Sequence, residues 1–451
     1  MSDNKDYCNT DYPRPLEAQL ERVLSPFQRF IRDQTTGSIL LILCTVIALV
    51  IANSPLAHDY ETLLEMHTGF VFGEWSFKMS VHHWINDGLM SLFFFILGLE
   101  IKREILVGEL KDPQQSLPVI AAALGGMLIP AAIFFAFNVN STMVHGWGIP
   151  MATDTAFAVG ILALLGRRIP LALITFLTAL AIIDDLGAIL VIAIFYTETI
   201  NLSLLGLAVL LLIAMAGCNA LGFRRPVIYI AAGGLVWLAM LGSGVHATIA
   251  GILVALTIPA RPKRGATWFM RRTRNLINEF EDIEKESEQP ILGEKKQHEV
   301  VERVQDTAEK ASTPIRRWEN FLERPVALFV MPVFALANAG IPVSFKALSS
   351  LGTDSLGLGI ILGLVAGKSI GISLLTWIAL RLHLGRLAQG VTMSHIIGIG
   401  LLGGMGFTMS IFIAGLGFAN TPEALVSAKT AILLASLIAG LSGYLWLRLR
   451  S

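Results

Sequence analysis

The chain is 451 residues long, 54% hydrophobic and only 15% charged, whereas ordinary soluble domains carry roughly a quarter charged residues. That composition excludes a typical soluble domain, and the balanced net charge of zero singles out no partner. Cys8, Cys44 and Cys218 have no framework spacing, so neither disulfides nor a structural metal site is expected.

The first 37 residues are polar and contain no short apolar core with a cleavage site, so no removable signal peptide is expected. Apolar runs of membrane-crossing length then predict twelve helices, near 38–54, 87–105, 117–138, 148–166, 170–196, 202–222, 226–243, 245–259, 325–342, 355–381, 394–418 and 424–447. Lysine and arginine collect in alternate connections: five precede the first helix, and others are Lys102, Arg103, Lys111, Arg167, Arg168, Arg224, Arg225, Arg381, Arg386, Arg448 and Arg450. The remaining connections hold Lys78 and Lys346, with Lys429 at a helix start. By the positive-inside rule both termini are cytoplasmic. The predicted organisation is a cytoplasmic segment 1–37, helices one to eight within 38–259, a polar insert 260–324, helices nine to twelve within 325–447, and a cytoplasmic end 448–451.

Two connections depart from the short pattern. "TGFVFGEWSFKMSV" (68–81) alternates apolar and polar residues around Gly73-Glu74, which predicts a small external β-hairpin. A two-stranded hairpin is marginal alone, so a packing partner is expected, with a second subunit as one candidate. The insert 260–324 holds fourteen Lys/Arg against thirteen Asp/Glu. It reads as a solvated, partly helical and partly disordered segment, the alternative being a regulatory or partner-binding element.

Charges inside the apolar runs carry the functional signal. Asp184 and Asp185 stand mid-way along the fifth helix, Asp154 in the first half of the fourth and Lys368 near the centre of the tenth. Each costs about 2.5–3.5 kcal/mol at mid-bilayer, or roughly 10 kcal/mol for the four, comparable to the stability of a whole protein. They must face one another, water or an ion. A purely structural Asp–Lys pair would leave two of the three acids unexplained. Adjacent helical residues point about 100° apart, so one aspartate is expected to face an aqueous funnel and the other a partner such as Asp154 or Lys368.

Helix breakers accompany these groups. "GIPMATDTAFAVG" in the fourth helix and "GIGLLGGMGFTMSIF" in the eleventh combine Pro150, Gly403, Gly404 and Gly406 with Thr153, Thr155, Thr408 and Ser410. Two interrupted helices of opposite direction are predicted, the inverted-repeat pattern of secondary transporters. An all-α integral membrane protein with inverted-topology repeats is the expected fold class.

The segments "IPMATDTAFAVGILALLGRRIP", "ALAIIDDLGAILVIAIFYT", "SGVHATIAGI", "FALANAG", "GKSIGIS" and "GMGFTMSIFIAGLGF" occur in this order. The chain resembles, on these stretches, the bacterial sodium/proton antiporter A family (NhaA), and the likeness extends from about residue 85 onward apart from the insert. The resemblance implies that Asp184 and Asp185 bind the transported Na+ or Li+, that Thr153 and Asp154 lie at the crossing of the interrupted helices, and that Lys368 is a buried lysine of the site. It further implies a pH-response role for Glu319, and places Asp87 and Glu100 among acids near the cytoplasmic funnel. Asn320 and Glu323 stand where the family often has histidines, which bears on the pH profile rather than the transport chemistry.

Desolvation disfavours a charged carboxylate, so a proton and a small hard cation can compete for the same oxygens. That competition would exchange Na+ or Li+ for H+. Three roles for Lys368 are compatible with the sequence: stabilising Asp154, countering half-helix charges, or pairing with Asp184 as a proton carrier. No cofactor is expected, since no GxxxxGK[ST] phosphate loop is present, and no nucleic-acid partner. An intramembrane aspartyl protease would carry Gly-x-Gly-Asp, which is absent, and a cation channel would use rings of acids. His246 reads as a helix-start or packing histidine. The expected setting is a bacterial inner membrane, with the lipid bilayer and a second copy as partners. The protein is expected to be a transporter rather than an enzyme.

Overall fold

The computed structural model describes residues 34–73, 75–108, 113–197, 200–286, 295–342, 351–352 and 354–450. Expectations placed on residues 1–33 with Cys8, on Glu74, Lys111 and Lys346, and on 287–294 of the insert lie outside the described residues.

Each of the twelve predicted apolar segments carries helix. By length and composition, eight helices can cross a membrane, or up to ten if each of two bent pairs forms one span. The difference from twelve falls on two segments. Met90–Val107 bears Glu100, Lys102, Arg103 and Glu104 in its second half. Thr248–Thr257 has ten residues, which cover about 15 Å, half of a hydrocarbon core. These two helices pack on each other so closely that a Cβ at Gly98 would press on Ala255 and Ile252, and one at Gly251 would overlap the Ser91 carbonyl. Lys102 Nζ donates to the carbonyls of Leu256 (2.6 Å) and Ile258 (2.5 Å). The short helix thus ends on a lysine, which satisfies carbonyls that have no partner within the helix.

A comparable close approach joins Pro113–Asn138 to the segment Ser355–Arg381, which includes a π-helical turn Gly363–Gly367. A Cβ on Gly125 or Gly371 would overlap the other's carbonyl, so only glycine lets these backbones meet. That contact brings Lys368, one turn before Gly371, against the middle of the bundle.

Both predicted interruptions are present. The fourth segment is a 3-10 helix Thr142–Met151, an extended stretch Ala152–Asp154, and an α-helix Thr155–Leu165. Ala152 (ψ 149°) and Asp154 (ψ 97°) have left helical geometry. The eleventh segment breaks between Met393–Gly403 and Phe407–Gly417 with a bend of 44°. The backbones cross at these breaks: Asp154 N donates to Met405 O at 2.6 Å.

The hairpin pairs β1 (His67–Phe72) with β2 (Trp75–Ser80), antiparallel, with Phe70 opposite Phe77. Gly73 has φ of 61°, as a two-residue hairpin turn requires. The strands are anchored within the chain. Trp84 donates from Nε1 to Thr68 O at 3.0 Å, meets Phe77 edge-on and stacks on Trp237.

The insert contains helix, as expected for part of it. Helices Ala266–Glu286 and Lys295–Ala311 lie antiparallel, joined at their base by Arg264 N donating to Lys310 O (3.0 Å). Leu276, Gln297, Val300 and Thr307 are buried along the seam, and Arg303 clamps Glu279 through two hydrogen bonds of 2.6 and 3.0 Å. Each helix is amphipathic, so its many charges solvate one face while the other packs. Residues Pro314–Asn338 then form one continuous stretch of 25 residues. The expected boundary at 324/325 falls inside it, and Glu319 lies on this helix.

Candidate functional site

The site forms where the helix Leu171–Phe195, the two interrupted segments and the lysine-bearing helix meet. Asp184, Asp154, Thr153 and Lys368 are at most 1% exposed, and Asp185 is 3% exposed. Lys368 Nζ donates to Asp184 Oδ2 at 2.5 Å and to Thr153 Oγ1 at 2.8 Å. Thr153 Oγ1 lies 2.7 Å from Asp184 Oδ2 and 3.1 Å from Gly403 O. A hydroxyl has one proton, so Thr153 donates to one of these oxygens at a time while accepting from the lysine. The carboxylate that Lys368 pairs with is that of Asp184.

Asp154 has a different environment. Its Oδ2 accepts from Thr408 N (3.0 Å) and Thr408 Oγ1 (2.6 Å), and its Oδ1 from Phe157 N (3.3 Å). The N-termini of both half-helices, Thr155–Leu165 and Phe407–Gly417, therefore converge on one carboxylate. Exposed N–H groups and the positive end of the helix dipole make such a terminus an anion site. Ser410 Oγ adds a bond to Ile149 O at 2.8 Å, fastening the second half-helix to the first segment.

Asp185 makes no hydrogen bond or ion pair among the described residues, and its Oδ1 is buried without a partner, as is Asp184 Oδ1. It feels the charges of Asp184, Asp154, Lys368 and Glu100. Buried polar atoms are almost always paired, so two orphaned carboxylate oxygens on adjacent residues mark a place built for something the protein chain does not supply. Asp184 pairs with the single ammonium, and Asp185 lies within reach of that charge and of Asp154. A small cation or a proton would balance the site.

The other expected residues lie elsewhere. Glu319 is 7% exposed and accepts from Arg103 Nε at 3.1 Å, with Arg316 Nε at 4.0 Å. Arg103 also pairs with Glu104 at 2.9 Å. Glu100, half-buried, faces the charges of Arg103, Glu319, Glu323 and Glu104. This end therefore gathers acids around Arg103, with Arg316 beside Glu319. Asp87 is not part of it. It sits in the π-helical turn Trp84–Leu89 beside the hairpin, within reach of the charges of His83 and His246. Thirteen residues of helix, about 20 Å, separate it from Glu100.

Sequence reasoning passed over three contributors. Arg103 counted only as a topogenic charge, although it lies one turn after Glu100. Thr408 was noted as a mid-depth threonine, without its bond to Asp154. Tyr196 donates to His145 O (2.7 Å), accepts from Gly148 N (3.3 Å), and bonds through its carbonyl to His246 Nε2 (3.0 Å). The tyrosine thereby ties the end of the aspartate helix to the interrupted segment.

A multi-pass helical protein with a buried lysine–aspartate pair and, next to it, an unpartnered buried carboxylate beside crossed helix breaks belongs to the class of membrane ion transporters. Sequence comparison names the group. The profile of the family described as Na+/H+ antiporter 1 matches residues 28–447. The chain is 46% identical to the Na(+)/H(+) antiporter NhaA 1 of Saccharophagus degradans over 440 residues, covering 97% of this chain and 95% of the relative. It is 47% identical to NhaA 1 of Shewanella denitrificans over 433 residues, 96% of each chain. To NhaA of Sulfurimonas denitrificans it is 44% identical over 434 residues, 96% of this chain and 97% of the relative. The chain belongs to the NhaA-type Na+/H+ antiporter family.

Proposed function

We propose that the protein exchanges Na+ or Li+ for H+ by letting cation and protons compete for Asp184 and Asp185, electrogenically and under pH control. The observation that carries this reading is Asp185: a buried carboxylate without a hydrogen-bond donor, next to an aspartate whose second oxygen is also unpartnered. Hard monovalent cations favour carboxylate oxygens, so the pair offers ligands to a cation when ionised. Protonation removes the charge and the affinity together. Asp154 is the fixed member, holding the two half-helix ends, and Thr153 links its segment to Asp184. Lys368 offsets the Asp184 charge and, by its place in the pair, is positioned to yield its counter-charge when a cation arrives.

In this reading the chain crosses a bacterial inner membrane twelve times, with both termini cytoplasmic. Met90–Val107 and the short Thr248–Thr257 count as spans sheltered by protein. The two interrupted segments belong to inverted repeats, and alternating access comes from one repeat moving against the rest. Glu319, Arg103 and Glu100 form the pH-responsive cluster of the cytoplasmic end. The external hairpin joins two copies through the strand edges that its own pairing leaves open.

The test is cation-induced dissipation of a pH gradient in everted vesicles. Sodium and lithium added separately should collapse the gradient, and potassium should leave it. A response to potassium equal to that to sodium would overturn the assignment.

A further inference from the structure

We infer that the base of the insert hairpin is a docking surface for an anionic lipid bilayer, separate from the ion site and independent of the exchange mechanism. Residues 261–274 contain Arg261, Lys263, Arg264, Arg271, Arg272 and Arg274 and no acid, whereas Glu279, Glu281, Asp282, Glu284 and Glu286 follow. The hairpin is thus polarised, with its positive end at its base.

Geometry places that base against the membrane. The apolar helix Thr248–Thr257 ends four residues before Arg261, and the membrane-entering helix Pro314–Asn338 begins four residues after Lys310. The Arg264–Lys310 backbone bond holds the two connections together. Both chain ends of the hairpin are therefore tethered where apolar helices begin and end.

The free charges and the exposed apolar atoms coincide there. On Ala266–Glu286, Met270, Arg274 and Ile277 lie at i, i+4 and i+7, one stripe of the helix, with Arg271 on its flank. Met270 is 59% and Ile277 48% exposed, and Arg271, Arg272 and Arg274 are exposed. Among the described residues these three arginines make no ion pair, while Arg303, Lys310 and Arg317 are engaged with Glu279, Asp306 and Glu309. The seam of the hairpin uses the opposite side of this helix, through Leu276. Basic side chains interleaved with apolar ones on a helix next to a membrane-inserted segment fit anionic head groups, the apolar stripe entering the head-group boundary. Positive charge that only fixed topology would need no such stripe.

The test uses the full chain with Cys8, Cys44 and Cys218 replaced by serine and Met270→Cys carrying an environment-sensitive fluorophore. It is reconstituted in phosphatidylcholine vesicles with or without phosphatidylglycerol, each containing a lipid-borne quencher. Quenching should appear with phosphatidylglycerol in low KCl and disappear in neutral vesicles or molar KCl. Arg271→Gln and Arg274→Gln should each lower the docked fraction relative to the free by about fivefold. Equal quenching in neutral and anionic vesicles, or none in either, overturns the inference. Quenching that follows protein density instead of lipid charge also overturns it, by assigning the face to a second copy. Deuterium exchange of 266–280 in the unmodified chain provides a label-free check, with slowing expected only on anionic lipid. Sodium-driven exchange measured in the same vesicles stands apart: its absence would count against the proposed function and leave the docking result intact.

Discussion

Lys368 Nζ lies 2.5 Å from Asp184 Oδ2, with both side chains fully buried, while Asp185 at the next position has no bonding partner among the described residues. Two adjacent carboxylates are thereby given unequal tasks. One is held by a fixed cation, and the other, without a partner, is the one the proposed exchange assigns to a mobile cation.

That inequality predicts different outcomes for isosteric replacements. Asp185→Asn should abolish sodium-induced gradient dissipation while the protein remains inserted and folded. Asp184→Asn should impair exchange strongly, through loss of a ligand and release of the lysine. The assay is vesicle exchange at matched expression, and near-normal activity in Asp185→Asn would contradict the assignment.

Removing Lys368 should act first on stability. Lys368→Gln leaves Asp184 buried without its counter-charge, which costs about 3–5 kcal/mol when one partner of a buried pair is lost. Adding Asp184→Asn should recover part of the loss, because the orphaned charge disappears. Melting temperatures of the wild-type, single and double variants test this. Sodium-driven membrane potential in Lys368→Gln proteoliposomes tests the lysine's part in transport: retained electrogenic exchange in the destabilised variant would mean that its proton is not an obligatory carrier.

The carboxylate of Asp154 holds two helix ends, so its partner should matter for rigidity. Thr408→Val removes the hydroxyl donor and keeps the backbone one. A hydrogen bond to a charged group contributes about 1.5–3 kcal/mol, and a drop in melting temperature of corresponding size is expected. Thr408→Ser should restore it.

Outside the spans, His82 supplies a pH-dependent contribution. Burial, then the Lys429 charge, lower its pKa to about 4, and His83 acts in the same direction against the hydrogen bond that His82 Nε2 donates to Asn338 Oδ1. A histidine held neutral in the folded state stabilises above its unfolded pKa of 6.5, and that contribution is lost as pH falls from 6.5 towards 4. Thermal unfolding of His82→Asn should therefore vary less with pH across this window than that of the native chain.

The insert hairpin closes on itself at Arg264 and Lys310, so its removal need not strain the helices it joins. Replacing 266–311 with a short glycine linker should leave maximal exchange and its pH dependence intact, since loop length alters closure entropy only slowly. Glu319 stays in place in that variant. A large displacement of the activation pH would show that the hairpin regulates transport.

Much of this architecture was legible because it follows from local chemistry. The glycines at 403, 404 and 406 stand at one expected interruption, the extended stretch 152–154 just after Pro150 forms the other, and the alternation around Gly73 forms the expected hairpin. What pairs across the fold was not legible. Asp154 and Thr408 are 254 positions apart, and no spacing rule connects them; likewise, nothing local decides whether Lys368 faces Asp154 or Asp184. In the insert, Leu276 and Val300 mark a buried seam that total charge does not reveal.

The central claim is competition between protons and a cation for the Asp184–Asp185 pair, and sodium binding to the purified protein tests it most directly. Calorimetric titration across a pH series should show protons released on binding and an apparent affinity that weakens by about tenfold per pH unit for each proton displaced. Both signals should vanish in Asp185→Asn. A sodium affinity that stays constant with pH, or one that survives in Asp185→Asn, would contradict the account.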